Sequence, residues 1–461
     1  MTTPTTLIRQ LQAIAGPDGV LATAEDLAVY AYDGTFAEQR PDLVILPTTT
    51  EQVSRVVALA AAERIPIVPR GMGSGLAAGS VPFAGGIALA TTRMNRILEI
   101  DAGNGVAHVQ AGVVTADLQA AVEKLGLFYP PDPSSIRHST IGGNIACNAG
   151  GPRCLKYGVT GDYVLGLTVV LPDGRVLKTG GKPIKDVVGY DLTALFTGSE
   201  GTLGVICEAL LRLVPRPRFI RTALAEFPSL DDASRTVNAI LSAGIVPVAL
   251  ELMDETAIAC IEEAMRLGLP RDVEALLILE TDGSHEAAVQ DEIEAAARIC
   301  RETGARRVQV ARSEAERAAL WRARRAVSPS LARKAPNKLG EDITVPRTAI
   351  PEAIRRIKAV SAQYGLPVVV FGHAGDGNLH PNILFDRRDP AQWATVEKMV
   401  AAIFEISLAL GGTLSGEHGV GALKRPYMER ALGPLSIEIQ RRIKQALDPL
   451  NIMNPGKVFP E

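Results

Sequence analysis

Apolar positions along this chain change rhythm from one segment to the next. Leu43 to Leu46 and Ile65 to Val68 are short unbroken apolar runs that read as buried strands, and Glu51 to Glu63 between them alternates at helical spacing. A compact β-α-β start is expected there, after a helical leader over residues 1–37. Further strands are expected at Ile87 to Ala90, at Val164 to Leu171 and Val176 to Thr179 across the Pro172-Asp173-Gly174 turn, and at Leu203 to Val214. Val214-Pro215-Arg216-Pro217-Arg218 reads as a linker. Beyond it, strands at Val246 to Leu252, Leu276 to Glu280 and Val308 to Ala311 alternate with helices at Leu230 to Ala243, Glu286 to Thr303 and Glu314 to Leu331, which predicts an α+β sheet with helices on one face. Helices over Gln392 to Ala409 and Pro434 to Leu447 complete the pattern. The boundaries that follow are 38–217, 218–415 and 416–461.

Two stretches break the rhythm with small residues. Arg70-Gly71-Met72-Gly73-Ser74-Gly75-Leu76-Ala77-Ala78-Gly79 follows the second strand directly. A Rossmann loop needs Gly-x-Gly-x-x-Gly and then a long helix, whereas here more glycine and an apolar strand follow, so that reading fails on context. A loop whose successive amides cradle a phosphate remains, because glycine permits the backbone turns it needs. From Pro130 to Gly161 regular signals fade, and runs such as Ser139-Thr140-Ile141-Gly142-Gly143-Asn144 allow the backbone to lie flat against something large and planar. Loops this long inside a compact domain are usually functional.

Composition narrows the partners. Apolar residues make up 47% of 461 and the formal net charge is -3, which gives no electrostatic case for nucleic acid or for an anionic membrane. No apolar run approaches the roughly eighteen residues of a membrane span, and Met1 to Gly16 lacks the form of a signal peptide, so a cytoplasmic protein of two or three domains is expected. The five cysteines form no Cys-x-x-Cys pair, which predicts free thiols and no iron-sulfur cluster.

The sharpest chemistry lies late in the chain. His373 and His380 flank the glycine-rich turn Ala374-Gly375-Asp376-Gly377, and Gly416-Glu417-His418-Gly419 follows; half of the six histidines fall in these two loops. If the first is a hairpin, its imidazoles sit on adjacent strands within about 5 Å of one another. They could share one divalent cation, with Glu417 supplying a hard oxygen. Neighbours in an extended segment face opposite ways, so Glu417 and His418 should divide the work, one binding metal and the other facing the reaction.

Taken together, Pro130 to Gly151, Gly189-Tyr190-Asp191-Leu192, Leu195 to Gly204, the two histidine loops and Asn454-Pro455-Gly456-Lys457 resemble the FAD-linked 2-hydroxyacid dehydrogenases of the vanillyl-alcohol oxidase superfamily, the group of the glycolate oxidase flavoprotein subunit and of the D-lactate and D-2-hydroxyglutarate dehydrogenases. The resemblance runs from about Pro41 to Pro460. It implies an α+β protein in which a PCMH-type FAD-binding domain of two subdomains is followed by an α+β substrate (cap) domain and a C-terminal helical segment that returns to the flavin. By this resemblance Arg70, Gly71, Met72, Gly73, Ser74, Gly75 and Gly79 would wrap the pyrophosphate. Pro131, Asp132, Pro133, Ser139, Thr140, Gly142, Gly143, Asn144, Ala146 and Asn148 would line the isoalloxazine and ribityl chain, and Gly204, Ile206 and Asn454 would close the pocket, with Lys457 near it. Relatives that bind flavin covalently carry a histidine where this chain has Ser74, which implies non-covalent FAD.

The resemblance further implies that His373, His380 and Glu417 hold one divalent metal (zinc, manganese or iron), that His418 is the base, and that Asn378 sits beside the substrate. Arg324, downstream of Trp321 and flanked by Arg322 and Arg325, would take the substrate carboxylate, with Ser328 and Lys338 as further contacts. The implied activity is oxidation of a small (D)-2-hydroxy acid such as glycolate or D-lactate to the 2-oxo acid, with hydride passing to flavin N5 and electrons to an external acceptor protein or quinone. Partner redox subunits and a homodimer are compatible with this. Two alternatives are non-redox alkyl transfer in ether-lipid synthesis and a metal-stabilised non-catalytic subunit of an oxidase complex.

Overall fold

The computed structural model describes residues 5–460. They form two compact units: one comprises residues 5–151, 159–216 and 417–460, the other 152–158 and 217–416. The C-terminal segment thus belongs with the first half of the chain, and a short piece of that first half, Pro152–Gly158, belongs with the second.

In the first unit the expected β-α-β start forms as strand Leu43–Ile45, helix Thr50–Ala62 and strand Ile67–Arg70. Thr49 caps the helix by accepting from Gln52 N. The two strands are not neighbours, because Ile87–Ala90 lies between them and runs parallel to both. Val20–Leu21, which the pattern did not reveal, pairs antiparallel with Leu43–Ile45. A second, five-stranded antiparallel sheet is built from Ile97–Asp101, Val106–Gln110, Val205–Arg212, Val164–Val170 and Val176–Gly180 in that order. Leu43, Ile45, Val53, Val57, Ile67 and Leu89 share one core with Val170, Val205 and Cys207, so the two sheets are held by common burial. Leu11 of helix Thr5–Ala15 and Ile452 and Met453 of the tail complete that core. The tail is also bonded to a sheet edge, Ile67 N donating to Ile452 O at 2.7 Å and Asn454 N to Ile67 O at 2.7 Å.

The stretch Pro130 to Gly161 holds more regular structure than its composition suggests. Thr140 caps a helix over Ile141–Cys147, accepting from Gly143 N, and Cys154–Tyr157 makes a further helical turn. Two glycines in one short helix disguise it, since each costs about 1 kcal/mol of propensity that tertiary contacts must offset. The helical turn is fastened to the second unit, where Lys156 Nζ donates to Asp282 Oδ1 at 2.5 Å and Tyr157 OH to Asp282 Oδ2 at 2.7 Å.

The second unit is built on one antiparallel sheet, ordered Arg307–Val310, Phe219–Phe227, Ala275–Gly283, Ala249–Asp254, Val368–His373, Asn378–Phe385 and Asn337–Gly340, with Ile343–Thr344 also on Asn378–Phe385. Helices cover both faces, contrary to the one-sided arrangement expected. Neighbouring residues of a strand point to opposite faces, and Glu280 accepts from Trp321 Nε1 of helix Glu314–Lys334 while Thr281 Oγ1 donates to Val289 O of helix Glu286–Glu302. Burial at all eight positions from Ala275 to Asp282 is the consequence. Among the described residues no helix is long and apolar enough to cross a membrane.

Candidate active site

The expected hairpin exists. Val368–His373 and Asn378–Phe385 pair antiparallel, with Phe371 opposite His380 and His373 opposite Asn378. Gly372 makes the close approach possible, since a Cβ there would fall 2.2 Å from Asn378 O. Gly377, at φ +84°, closes the turn by donating to His373 O at 3.1 Å. Both imidazoles are buried, at 3% and 7% exposure, and their Nε2 atoms stand 3.4 Å apart.

The other nitrogen of each ring faces a carboxylate that sequence reasoning missed. Glu251, wholly inaccessible, lies opposite His373 on the neighbouring strand, with its Oε1 2.5 Å from His373 Nδ1. Asp342, equally buried, has Oδ1 3.9 Å from His380 Nδ1. At His373 the carboxylate at Nδ1 favours the tautomer that leaves the Nε2 lone pair free for a ligand bond. Two imidazole nitrogens bound tetrahedrally to one ion, about 2.1 Å from it, lie about 3.4 Å apart. The observed spacing therefore suits a shared divalent cation without movement of the hairpin. The only sequence trace of the two carboxylates was an acid placed within or beside an apolar run, Ala249-Leu250-Glu251-Leu252 and Glu341-Asp342-Ile343.

Asp342 is also the anchor of the following loop, accepting from Ser415 Oγ at 2.6 Å and Gly416 N at 2.9 Å on Oδ2 and from Asn378 Nδ2 at 2.6 Å on Oδ1. Asn378 Nδ2 further donates to Ile343 O and Thr344 Oγ1, so that nitrogen is committed to the fold and only the amide oxygen is left for the substrate role expected of it. Glu417 and His418 follow Gly416 directly. Residues 416–418 are bent rather than extended, so the alternation argument for dividing their roles does not apply.

On the same face, helix Glu314–Lys334 supplies Arg324. Trp321 fixes the helix through Glu280, at 2.6 Å, and one turn later Arg324 Nε donates to Glu251 Oε2 at 2.6 Å with its guanidinium 4.7 Å from the Phe371 ring. Arg322 and Arg325 lie on the exposed side of the helix. Burial alone would raise the Glu251 carboxyl, but His373 and Arg324 beside it outweigh that and hold it well below the usual carboxylate range. Ser328 and Lys338 come together, Lys338 Nζ donating to Ser328 Oγ, and burial lowers the lysine.

In the first unit several glycines of the small-residue loops lie in close contact with neighbouring segments. A Cβ on Gly71 would sit 2.2 Å from Thr140 Oγ1, one on Gly142 would sit 2.6 Å from Ala111 Cβ, and one on Gly204 would sit 2.7 Å from Val170 O. Met72 stays exposed and Gly73 turns at φ +71° beside Arg70. Arg70 itself is committed inward, Nη1 donating to the carbonyls of Tyr30 and Tyr32, so it braces the loop. Asn144 Nδ2 likewise donates to Thr115 Oγ1 and Ser139 Oγ pairs with the same hydroxyl, while Asn148, left-handed at φ 52°, accepts from Gly161 N. Ala146 O accepts from Glu200 N, and Gln119 Nε2 donates to Pro131 O. Asp132 O crowds Gly151, at 2.4 Å from a Cβ there, and Pro133 O accepts from Ile136 N. Ser74 and Gly75 are only partly buried, and Ile206 is buried at a bulge of its strand.

Asn454 reaches Gly79 O and Glu200 O through Nδ2, at 2.9 and 2.7 Å. Its Oδ1 and Ser80 Oγ are buried polar atoms with no hydrogen-bond partner. Such atoms seldom persist unless a ligand or water satisfies them, and with a loop of permissive backbone beside them they fit a polar cofactor. Glu200, which sequence reasoning did not single out, accepts from Val420 N and Gly421 N at 2.7 Å each and so ties the segment after His418 to the same loops.

Comparison with known proteins agrees with both halves. Residues 41–180 match the FAD binding domain family and residues 216–458 the FAD linked oxidases, C-terminal domain family. The chain is 47% identical over 451 residues to the glycolate oxidase subunit GlcD of Bacillus subtilis, covering 98% of this chain and 96% of that protein. It is 36% identical over 448 residues to the D-lactate dehydrogenase of Anaerostipes hadrus, covering 95% and 92%. Among solved structures, alkyldihydroxyacetonephosphate synthase superposes with a TM-score of 0.76 over 98% of this chain and 85% of that one; at 20% identity this is a likeness of fold alone.

Proposed function

Since the chain belongs to the FAD-linked oxidases, we propose that it oxidises a small 2-hydroxy acid, glycolate or one of D-lactate size, to the 2-oxo acid. The observation that carries the reading is the pair of buried Nε2 atoms 3.4 Å apart, one of them on a ring whose Nδ1 bonds a buried carboxylate. His373 and His380 hold one divalent cation, of which zinc is the first choice and manganese or iron the next, and Glu417, one residue beyond the anchored Gly416, adds the oxygen ligand. Borderline nitrogen donors with one hard oxygen suit such ions. A cation there would supply Lewis-acid stabilisation of the substrate oxygens, and FAD, held without a covalent bond, supplies the two-electron acceptor.

The chain's own residues do the rest. Arg324 pairs with the substrate carboxylate through guanidinium N–H groups other than Nε, which Glu251 holds. Ser328 and Lys338, joined by the bond from Nζ to the hydroxyl, are the further substrate contacts of this reading. His418 accepts the hydroxyl proton at an imidazole nitrogen, as a positioned base does, and bound FAD would be the acceptor for the hydride of the α-carbon. Electrons then go to an external acceptor, a quinone or a redox partner; the Bacillus subtilis relative is itself named a subunit. A cytoplasmic location belongs to the same reading.

Anaerobic titration of the purified flavoprotein with glycolate, D-lactate, L-lactate and D-2-hydroxyglutarate tests it. At least one acid should bleach the flavin, and His418→Ala should bleach more slowly by about 10²–10⁴ while keeping FAD and metal. A flavin that no 2-hydroxy acid reduces overturns the reading in favour of alkyl transfer or a non-catalytic subunit, neither of which passes electrons onward. Loss of metal from His418→Ala makes that residue a ligand and not the base.

A further inference from the structure

Glu251 stands out because a single carboxylate, wholly out of solvent, uses its two oxygens on two different tasks. Oε1 lies 2.5 Å from Nδ1 of His373, and Oε2 accepts from Nε of Arg324 at 2.6 Å. The first partner sits on a neighbouring strand in direct register with Glu251, and the second reaches down from helix Glu314–Lys334. Arg324 is further held over Phe371, whose ring is 5.7 Å from that of His380. No other acid of the sheet bonds both a histidine of the hairpin and an arginine of that helix among the described residues: Glu280 serves Thr222, Arg317 and Trp321, and Asp254 serves Lys358, Ala257 N and Val370 N.

Resting on the functional reading above, we propose that Glu251 is a positioning residue that couples cation binding to recognition of the substrate carboxylate. It touches neither ligand. By accepting from His373 Nδ1 it fixes the tautomer that points Nε2 at the cation, and by accepting from Arg324 Nε it fixes the plane of the guanidinium that meets the carboxylate. A buried carboxylate with one full negative charge divides it between two partners, so a change at either reaches the other. Withdrawing Arg324 leaves more of that charge on His373 and makes its Nε2 a stronger donor. A purely structural ion pair would hold helix to sheet equally well but would leave cation affinity indifferent to Arg324.

Glutamine at 251 separates these cases, because its amide has one oxygen where two donors need acceptors. The measurement is the affinity of the FAD-loaded enzyme for Zn²⁺ and Mn²⁺, by chelator competition, in wild type, Glu251→Gln, Arg324→Met and the double variant. Glu251→Gln should weaken the cation about 10–100-fold and raise KM for the hydroxy acid. Arg324→Met should change cation affinity in the wild-type background and leave it unchanged beside Glu251→Gln. Equal effects of Arg324→Met in both backgrounds, or a cation affinity that Glu251→Gln does not move, would overturn the proposal. Should Glu251→Gln fail to fold, Glu251→Asp keeps the charge but is too short for both partners, and the same cycle is run with it. A wild type that takes up no cation refutes the functional reading instead. In that event ¹⁵N-histidine NMR still decides Glu251, since His373 should be protonated at Nδ1 in wild type and lose that preference in the variant; no difference between them overturns the positioning role.

Discussion

Replacing Glu200 tests whether the loop after His418 is held by the flavin-binding half through one carboxylate. Glu200 is 9% exposed, and its oxygens accept from Val420 N and Gly421 N at 2.7 Å each. Hydrogen bonds to a charged group contribute about 1.5–3 kcal/mol each, so the pair is worth about 3–6 kcal/mol gross. Against this stands desolvation, which pushes the Glu200 carboxyl up despite both amides and the nearby Lys424 and Lys457. That penalty offsets part of the gross, and the net loss in Glu200→Ala should be about 2–4 kcal/mol, within the range for a buried charge with lost partners. At about 2–4 °C per kcal/mol for a domain of this size, Tm should fall by about 4–16 °C. Glu200→Gln, which keeps an acceptor oxygen but not the charge, should lose about half as much. Melting is followed by flavin fluorescence and by circular dichroism, and turnover with the best hydroxy acid is measured well below Tm, where the folded variant should still be slower than wild type because the residues after His418 are no longer pinned. A Glu200→Ala enzyme that melts within about 2 °C of wild type and turns over normally would refute the reasoning.

Two further outcomes follow from particular contacts. Gly372→Ala places a Cβ 2.2 Å from Asn378 O and 2.9 Å from Leu379 Cα, which must push the hairpin strands apart; zinc affinity should fall at least about tenfold while FAD content stays constant, and unchanged zinc affinity would show that the hairpin does not set the histidine spacing. Lys457 Nζ is buried and bonded to Val81 O, and burial lowers its pKa to about 8; the unfolded chain, with lysine near 10.5, binds more protons between those values, so the stability of flavin-free protein should rise from about pH 8 to pH 10.5, and urea melts of Lys457→Met should show that rise diminished.

The amphipathic and apolar runs were enough to place elements such as strands Leu43–Ile45 and Ala275–Gly283 and helices Thr50–Ala62 and Glu286–Glu302, because burial on one face or on two leaves a local period that needs no knowledge of neighbours; strand Phe219–Phe227 and helix Ile350–Tyr364 were not seen in that pattern. The histidine hairpin was legible for the same reason: two apolar runs around a glycine turn pair in a register that brings His373 and His380 to one face. Family likeness carried the flavin loops, whose small residues have no period of their own. What sequence could not supply was anything that depends on which distant segments meet. The helix at Ile141–Cys147 hid behind its glycines, and Pro152–Gly158 gave no sign that it would bind Asp282. Nothing local assigns helix Glu286–Glu302 and helix Glu314–Lys334 to opposite faces of one sheet. Glu251 and Asp342 read as isolated acids beside apolar residues, a pattern that local rules count against burial. Only the tertiary structure brings His373 and Arg324 to Glu251, and His380, Asn378, Ser415 and Gly416 to Asp342, and so turns two costly buried charges into the frame of the site. A residue's chemistry is written locally, but the partners that make a buried charge tolerable are fixed only when strands far apart in sequence come into register.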